Sequence, residues 1–140
     1  MNPSSFRTPD DVVHPRGPDD ASNQPAGFEA LGLELLLYGL QSPVNIGMIL
    51  RSAEAFQFGV SILDQYGVLV DVAKLSTLQD FACGALARRG LHRLDGPAAL
   101  AEHRRGRRLI ATSIGPNALS LVSLPFLPGD LIVLGNEYDG

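Results

Sequence analysis

The sequence predicts an α/β fold with a parallel sheet, because short apolar runs alternate with helix-favouring segments. Most of the runs are nearly continuous in apolar residues, which is typical of strands covered on both faces. The predicted strands are Leu33–Leu37, Val60–Leu63, Leu91–Leu94, Leu109–Thr112 and Leu131–Leu134. At 140 residues the chain is long enough for one domain with a hydrophobic core.

The first predicted helix follows the first strand and the loop Tyr38–Val44. Ser42, Pro43 and Asn45 are residues suited to a helix start. An apolar stripe follows at helical spacing; it comprises Ile46, Ile49, Leu50, Ala53 and Phe56. Gly47, Arg51 and Glu54 fall on another face, where Gly47 is expected to leave space beside the guanidinium.

The remaining elements follow the same alternation. Residues 64–72 are predicted to form a loop with a possible short strand. Helices are expected at Ala73–Ala87, where Gly84 is unfavourable, and at Pro97–Arg104, which has proline in its first turn. A loop from Ser113 to Gly129 then leads to the last strand.

Residues 1–30 differ in composition from residues 31–140, which form the predicted domain. They hold five of the ten prolines and five acidic residues, with no apolar periodicity. Such a segment buries too little surface to offset its ordering entropy, so a disordered tail is predicted.

Charge is unevenly distributed along the chain. The net charge is −4, yet seven of the eleven basic residues fall between positions 88 and 108. They are Arg88, Arg89, Arg93, Arg104, Arg105, Arg107 and Arg108. Arginine suits planar, bidentate contacts with phosphate, so an RNA-binding patch is one interpretation. A solvated helix face is the alternative.

Several classes of protein are disfavoured by the sequence. No apolar run is long enough to cross a bilayer, and no signal or transit pattern begins the chain. The single Cys83 cannot form an internal disulfide, which suits a cytoplasmic location. No Cys or His spacing indicates a metal site, so no bound metal is expected. The lack of a long apolar run means that no membrane partner is expected either.

Ligands of open parallel sheets bind beyond the carboxyl ends of the strands. Two polar loops, Tyr38–Asn45 and Gly135–Gly140, leave predicted strands there. Taken singly, their residues have ordinary explanations. Asn45 could cap a helix, Arg51 could form an exposed pair with Glu54, and Glu137 could complement a helix N-terminus.

Together, these residues resemble the first two motifs of the SpoU-like RNA ribose methyltransferases, which belong to the trefoil-knot SPOUT superfamily. The first motif is Asn45-Ile46-Gly47-Met48-Ile49-Leu50-Arg51-Ser52-Ala53-Glu54, and the second is Leu131-Ile132-Val133-Leu134-Gly135-Asn136-Glu137-Tyr138-Asp139-Gly140. Phe81-Ala82-Cys83-Gly84-Ala85 is similar to the small-residue segment between them. The resemblance covers residues 31–140.

The resemblance implies a Rossmann-like α/β/α sandwich of the trefoil-knot type, acting as a homodimer. The implied reaction transfers methyl from S-adenosylmethionine to a ribose 2′-hydroxyl of tRNA or rRNA. Carried over by motif, Asn45, Arg51 and Glu137 are catalytic or substrate-positioning residues. The implied cofactor-side residues are Thr112, Leu134, Gly135, Asn136 and Glu137. The basic segment then supplies the expected RNA contacts through Arg88, Arg89, Arg93, Arg104 and Arg105.

One part of the family pattern is absent. The knot-closing C-terminal segment, with its Ser-Leu-Asn-Val-like third motif, does not follow Gly140. The chain is therefore either a fragment or a curtailed member, and the sequence leaves both open. A non-catalytic RNA-binding protein on the same scaffold is the competing hypothesis. A mononucleotide-binding domain is less favoured, because QSPVNIG is not a glycine-rich phosphate loop.

Overall fold

A computed structural model describes residues 31–138, in which five strands alternate with helices. The predicted tail, residues 1–30, lies outside the described residues. The strands are β1 (Glu34–Tyr38), β2 (Gly59–Leu63), β3 (His92–Arg93), β4 (Leu109–Ala111) and β5 (Leu131–Leu134). The helices are α1 (Pro43–Phe56), α2 (Val72–Ala82), α3 (Ala85–Arg89) and α4 (Pro97–His103), and a short 3₁₀ helix spans Leu121–Ser123.

All strand pairs of the sheet are parallel, in the order β3-β2-β1-β5-β4. Strand β1 is central, and its Glu34 lies opposite both Gly59 of β2 and Leu131 of β5. The predicted parallel α/β fold is confirmed. Because β5 inserts beside β1, the loops that follow these two strands meet at the carboxyl edge of the sheet.

The sheet is covered on both faces, because successive strand side chains alternate between them. Leu37 and Ile62 face the helices α1, α2 and α3. Leu36 and Leu63 face the other side, where they pack with Leu100 of α4. The predicted α/β/α layering is therefore confirmed.

Helix α1 begins where its sequence signals place it. The Ser42 hydroxyl accepts from the Asn45 N–H, so Ser42 is the N-cap and Pro43 opens the first turn. Ile46, Leu50 and Ala53 of the predicted stripe are buried. Phe56 of that stripe is 58% exposed, because it lies at the last position before the helix ends.

Gly47 has a different role from the predicted one. It is buried, and a Cβ there would lie 2.7 Å from the Leu78 carbonyl oxygen and 2.8 Å from the Phe81 Cβ. The missing side chain therefore lets α2 pack against the backbone of α1. The expectation that it clears space beside Arg51 was wrong, since the contact is with α2.

The helix predicted over Ala73–Ala87 is interrupted in the structure. Cys83 and Gly84 both adopt left-handed backbone conformations, with φ values of 48° and 82°. They end α2 and begin α3 in a new direction. Glycine adopts this conformation without steric cost, which explains why Gly84 marks the break.

Residues 113–129 hold much of the exposed apolar surface. Ile114, Leu119, Leu121 and Val122 are each at least two-thirds exposed. Strand β5 itself is buried at Leu131 and half-buried at its other residues. No helix among residues 31–138 is long and apolar enough to span a bilayer.

Candidate active site at the carboxyl edge of the sheet

The loops that follow β1 and β5 are joined through the carboxylate of Glu137. Its Oε2 accepts from the Gln41 N–H at 2.9 Å, and its Oε1 accepts from the Ser42 N–H at 3.0 Å. Oε1 also accepts from Asn45 Nδ2 at 3.2 Å. These donors lie just before and inside the first turn of α1. The carboxylate thus complements the helix N-terminus and also holds Asn45.

These donors change the acidity of Glu137. Partial burial acts to raise the pKa of its carboxyl group, but the N–H groups of Gln41 and Ser42 and the amide of Asn45 lower it below the usual value. The group is therefore an anion near neutral pH. An ionised carboxylate accepts hydrogen bonds but cannot donate them.

This restriction determines the orientation of the Asn45 amide. Because Glu137 offers only acceptors, the Asn45 NH2 group must face it. The Oδ1 of Asn45 consequently lies away from the carboxylate. Asn45 is itself exposed, so this oxygen can accept a hydrogen bond from a ligand at the carboxyl edge.

Asn136, predicted on the cofactor side, connects the same two loops by a second route. Its Nδ2 donates to the Gly39 carbonyl at 2.7 Å, and its Oδ1 accepts from the Tyr138 N–H at 2.8 Å. The side chain therefore supports the shape of both loops. Gly39 has a φ of 67°, which favours glycine at this turn.

Arg51 is exposed on α1, six residues after Asn45 and about 9 Å further along the helix axis. It lines a surface groove of about 370 Å³ with Met48, Ser52 and Phe56. The alternative that pairs it with Glu54 is not observed. Glu54 instead receives two hydrogen bonds from Arg88, at 2.6 and 2.8 Å.

The predicted cofactor-side residues gather at the ends of β4 and β5. The Thr112 N–H and hydroxyl both donate to the Val133 carbonyl, each at 3.1 Å, so Thr112 lies beside Leu134 and Gly135. Next to Thr112 is a cavity of about 690 Å³, which is within the usual size range for small-ligand sites. Its lining is mostly apolar and includes Ile110, Leu121, Leu124 and Ile132. Size and lining fit a nucleoside-like cofactor.

Most arginines of the basic segment already have acidic partners. Besides the Arg88 pair with Glu54, the structure contains these pairs: Arg93 with Asp95, Arg105 with Glu102, Arg107 with Glu34, and Arg108 with Asp130. Arg89 and Arg104 are exposed and form no ion pair with any residue from 31 to 138. In the topology, Arg93 lies toward the carboxyl edge. The other arginines of the basic segment come before β3 or β4 in the chain, so they lie toward the amino edge of the sheet.

Some groups of this site carry no signal in the sequence. The Gln41 and Ser42 N–H groups and the Gly39 carbonyl all belong to the backbone. Their positions follow from the pairing of β5 with β1, which no side-chain pattern reveals. Within residues 31–138, no group of three or more His, Cys, Asp or Glu side chains is arranged to hold a metal ion.

Comparison with known proteins gives matches to RNA methyltransferases. The model of the SpoU rRNA Methylase family matches residues 32–140. A structure described as giving insights into the 2-OH methylation of C/U34 on tRNA is 28% identical, with a TM-score of 0.66, over 77% of this chain and 69% of that one. No match was found among curated protein sequences.

Two further structures are similar over shorter parts of their own chains. AviRb, a SpoU methyltransferase from Streptomyces viridochromogenes solved with AdoMet, is 24% identical with a TM-score of 0.64, over 79% of this chain and 43% of that one. A putative RNA methyltransferase of the TrmH family from Porphyromonas gingivalis is 31% identical, with a TM-score of 0.57. The match covers 74% of this chain and 41% of that one. The chain thus spans less than half of these two proteins. Since the family model covers nearly all of the described domain and both of its motifs, the chain belongs to the SpoU rRNA methylase family.

Proposed function

We propose that this protein transfers a methyl group from S-adenosylmethionine to a ribose 2′-hydroxyl of tRNA or rRNA. The observation that carries the proposal is the contact between Asn45 and Glu137, which unites the two family motifs at the carboxyl edge. Exposed Arg51 lies on the same helix as Asn45. The membership of the SpoU family supports the reaction class.

Asn45 positions the acceptor in this proposal. With its NH2 group held by Glu137, its Oδ1 accepts a hydrogen bond from the ribose 2′-hydroxyl. That contact orients an oxygen lone pair toward the methyl group, and alignment of this kind is a large part of the catalysis of a displacement reaction. Glu137 is a positioning residue, because it acts through Asn45 and the backbone of the α1 N-terminus.

Arg51 stabilises charge in this proposal. A guanidinium does not release its protons near neutral pH, so Arg51 is not the general base. It holds an RNA phosphate and stabilises the negative charge that develops on the acceptor oxygen. Because the hydroxyl has a single proton, it exchanges its hydrogen bond with the Asn45 Oδ1 for one with that phosphate or with water, which takes the proton as the methyl group bonds to the oxygen.

The cofactor is held beside β4 and β5, by Thr112, by the backbone from Leu134 to Glu137, and by the apolar cavity next to Thr112. When bound, it supplies an electrophilic methyl group on a sulfonium. Ile110, Leu121 and Ile132 give this side a largely apolar lining.

The functional unit in this proposal is a cytoplasmic homodimer. Met48 and Phe56, 53% and 58% exposed, lie beside Arg51 in the groove on α1. Contact between two such faces would remove both apolar side chains from water and bring Arg51 close to a second chain. Light scattering of the full chain tests the dimer directly.

The test of function is methyl transfer from labelled S-adenosylmethionine to tRNA and rRNA, followed by nucleoside mass spectrometry. We expect the label on ribose, in a product that resists alkaline cleavage at that linkage. Arg51→Ala should lower the rate at least about 100-fold, comparable to loss of one charge-stabilising donor. Gln79→Ala, which removes an exposed polar side chain on α2, should leave it within about twofold.

Two results would contradict the proposal. Label on a base would mean that the acceptor is wrong. Binding of RNA and cofactor by the intact protein without transfer would favour the non-catalytic RNA-binding hypothesis.

A further inference from the structure

A second cavity opens at the carboxyl edge, between the ends of β2 and β3. It has a volume of about 370 Å³ and is lined by Leu63, Asp64, Gln65, Arg93, Leu94 and Asp95. Leu63 and Leu94 are 5% and 4% exposed and form an apolar floor. We call it the β2–β3 cavity. It lies across β1 from the cofactor-side cavity beside β4.

The rim of the β2–β3 cavity presents both donors and acceptors. Arg93 and Asp95 pair at 3.3 Å, with side chains 46% and 83% exposed, so this pair contributes little to stability and opens easily for a ligand. Asp64 is already used, because its two oxygens accept from the Val68 and Leu69 N–H groups, each at 2.9 Å. The groups left to meet a ligand are the Gln65 amide, the Arg93 guanidinium and the Asp95 carboxylate.

The β2–β3 cavity is physically connected to the site of methyl transfer through Gly39. The Gly39 carbonyl accepts from Asn136 of the second motif, and its N–H donates to the Leu63 carbonyl. A Cβ on Gly39 would lie 2.6 Å from the Gln65 Oε1, so the Gln65 side chain rests against this glycine. Strands β1 and β3 are two strand spacings apart, roughly 10 Å. That separation suits a nucleotide beside the target more than the target itself.

We propose that the β2–β3 cavity binds the base of an RNA nucleotide that neighbours the methylated one, and that Arg93 and Gln65 read the edge of that base. This inference rests on the proposed function. A single-stranded base needs an apolar surface for its face and planar polar groups for its edge. The cavity supplies the first with Leu63 and Leu94 and the second with Arg93 and Gln65.

The charge of the cavity favours a base over a phosphate. The cavity is lined by one guanidinium and by the carboxylates of Asp64 and Asp95, so it carries no net positive charge. A phosphate would meet both carboxylates and be repelled. A neutral heterocycle with donors and acceptors meets no such penalty.

The test separates recognition from catalysis. The full chain is equilibrated with a pool of short RNAs of randomised sequence, and the bound fraction is sequenced. The same is done for Arg93→Gln, Gln65→Ala and the control Gln79→Ala, which removes an exposed glutamine on α2. Circular dichroism checks that each variant is folded, and methyl transfer to the selected RNAs is measured separately.

The wild-type protein should show about a tenfold preference for one base at one position, the size expected for one good planar contact. Arg93→Gln and Gln65→Ala should reduce the preference to within about twofold, and Gln79→Ala should keep it. Retention of the preference in both cavity variants overturns the inference while the proposed function stands. A preference that depends on the cavity, without methyl transfer, overturns the proposed function and leaves the recognition site. A wild-type protein that shows no base preference refutes the recognition site outright.

Discussion

Asn45 donates a hydrogen bond from its side-chain amide to the carboxylate of Glu137 across 3.2 Å, although the two residues are 92 positions apart. The contact forms only because β5 inserts beside β1, with Leu134 opposite Leu37. A slip of the parallel register would separate the residues. The candidate site therefore depends on correct pairing of the last described strand.

Replacement of Glu137 by glutamine should lower methyl transfer by about tenfold or more and lower the free energy of unfolding by on the order of 1–2 kcal/mol. Three donors converge on the two carboxylate oxygens, and an amide offers only one oxygen, so at least one donor loses its partner. Steady-state kinetics and thermal unfolding measure the two effects. Glu102→Gln is the control, since Glu102 is an exposed carboxylate whose ion pair is with the surface residue Arg105. Equal loss of activity in both variants would contradict a positioning role for Glu137.

Much of this fold could be predicted from short-range patterns. Strands β1, β4 and β5 hold at least three consecutive apolar residues, and Ser42 with Pro43 begins α1 where a cap and a first-turn proline are expected. The ends of Leu33–Leu37 and Leu131–Leu134 could be assigned to one edge because parallel strands end together. Asn45 and Glu137 could therefore be expected at the same edge of the sheet, whereas their direct contact depends on the pairing of β5 with β1.

The remaining features depend on contacts between elements distant in sequence. Gly47 looks like a residue that clears space for a neighbouring side chain, whereas it admits the backbone of α2. Arg88 is predicted from its charge to contact phosphate, but the sequence does not show that it also pairs with Glu54 on another helix. A local pattern shows that a residue is small or charged but does not show which element packs against it.

Gly47→Ala should destabilise the protein by about 1–3 kcal/mol, the usual cost of overpacking. In an unconstrained helix the same change is stabilising by almost 1 kcal/mol, so the sign of the effect is diagnostic. The added Cβ would meet the Leu78 carbonyl oxygen at 2.7 Å and force α2 away from α1. Urea unfolding measures the change. Ser52→Ala, on the exposed side of the same helix, should shift the free energy of unfolding by less than about 0.5 kcal/mol. A stabilising Gly47→Ala would show that the helices separate readily.

Glu34 should make the stability of the protein sensitive to acid. It begins β1 and contacts His103 at 2.7 Å and Arg107 at 2.6 Å, and its side chain is only 15% exposed. Burial acts to raise the pKa of Glu34, but the hydrogen bonds from the Arg107 and His103 side chains and the charge of Arg107 lower it below the usual value. Its stabilising effect is therefore complete above the unfolded-state pKa of about 4.3 and is lost as pH falls through the lower folded-state value.

Glu34→Gln tests this acid sensitivity. The variant should be less stable at pH 7, by on the order of 2 kcal/mol, because hydrogen bonds to a charged group are removed. Below about pH 4 its stability should approach that of the wild type, since the wild-type carboxyl group is then becoming protonated. Urea unfolding from pH 3 to pH 7 measures both curves. Parallel curves over this range would show that Glu34 does not titrate with folding.

Exposed, unpaired arginines should bind RNA phosphates more than paired ones do. Arg89 and Arg104 form no ion pair within residues 31–138. Arg88, in contrast, donates two hydrogen bonds to the carboxylate of Glu54. A phosphate must displace that carboxylate before it can bind Arg88. The loss of the ion pair then offsets the free energy gained from the phosphate contact. Removal of one arginine that binds a phosphate of single-stranded RNA should flatten the log–log dependence of binding on salt by about 0.7.

The double variant Arg89→Gln/Arg104→Gln should therefore flatten the salt dependence by about 1.4, with an unchanged melting temperature. Arg88→Gln should leave the slope alone and lower the melting temperature, because it removes the link between α3 and α1. The slopes are measured by fluorescence anisotropy with labelled RNA. A range of about 50 to 300 mM salt is used, because screening of charge changes strongly over it. An unchanged slope in the double variant would mean that these arginines form a solvated face. A slope flattened by Arg88→Gln alone would mean that RNA opens the pair with Glu54, so that the amino edge rearranges when RNA binds.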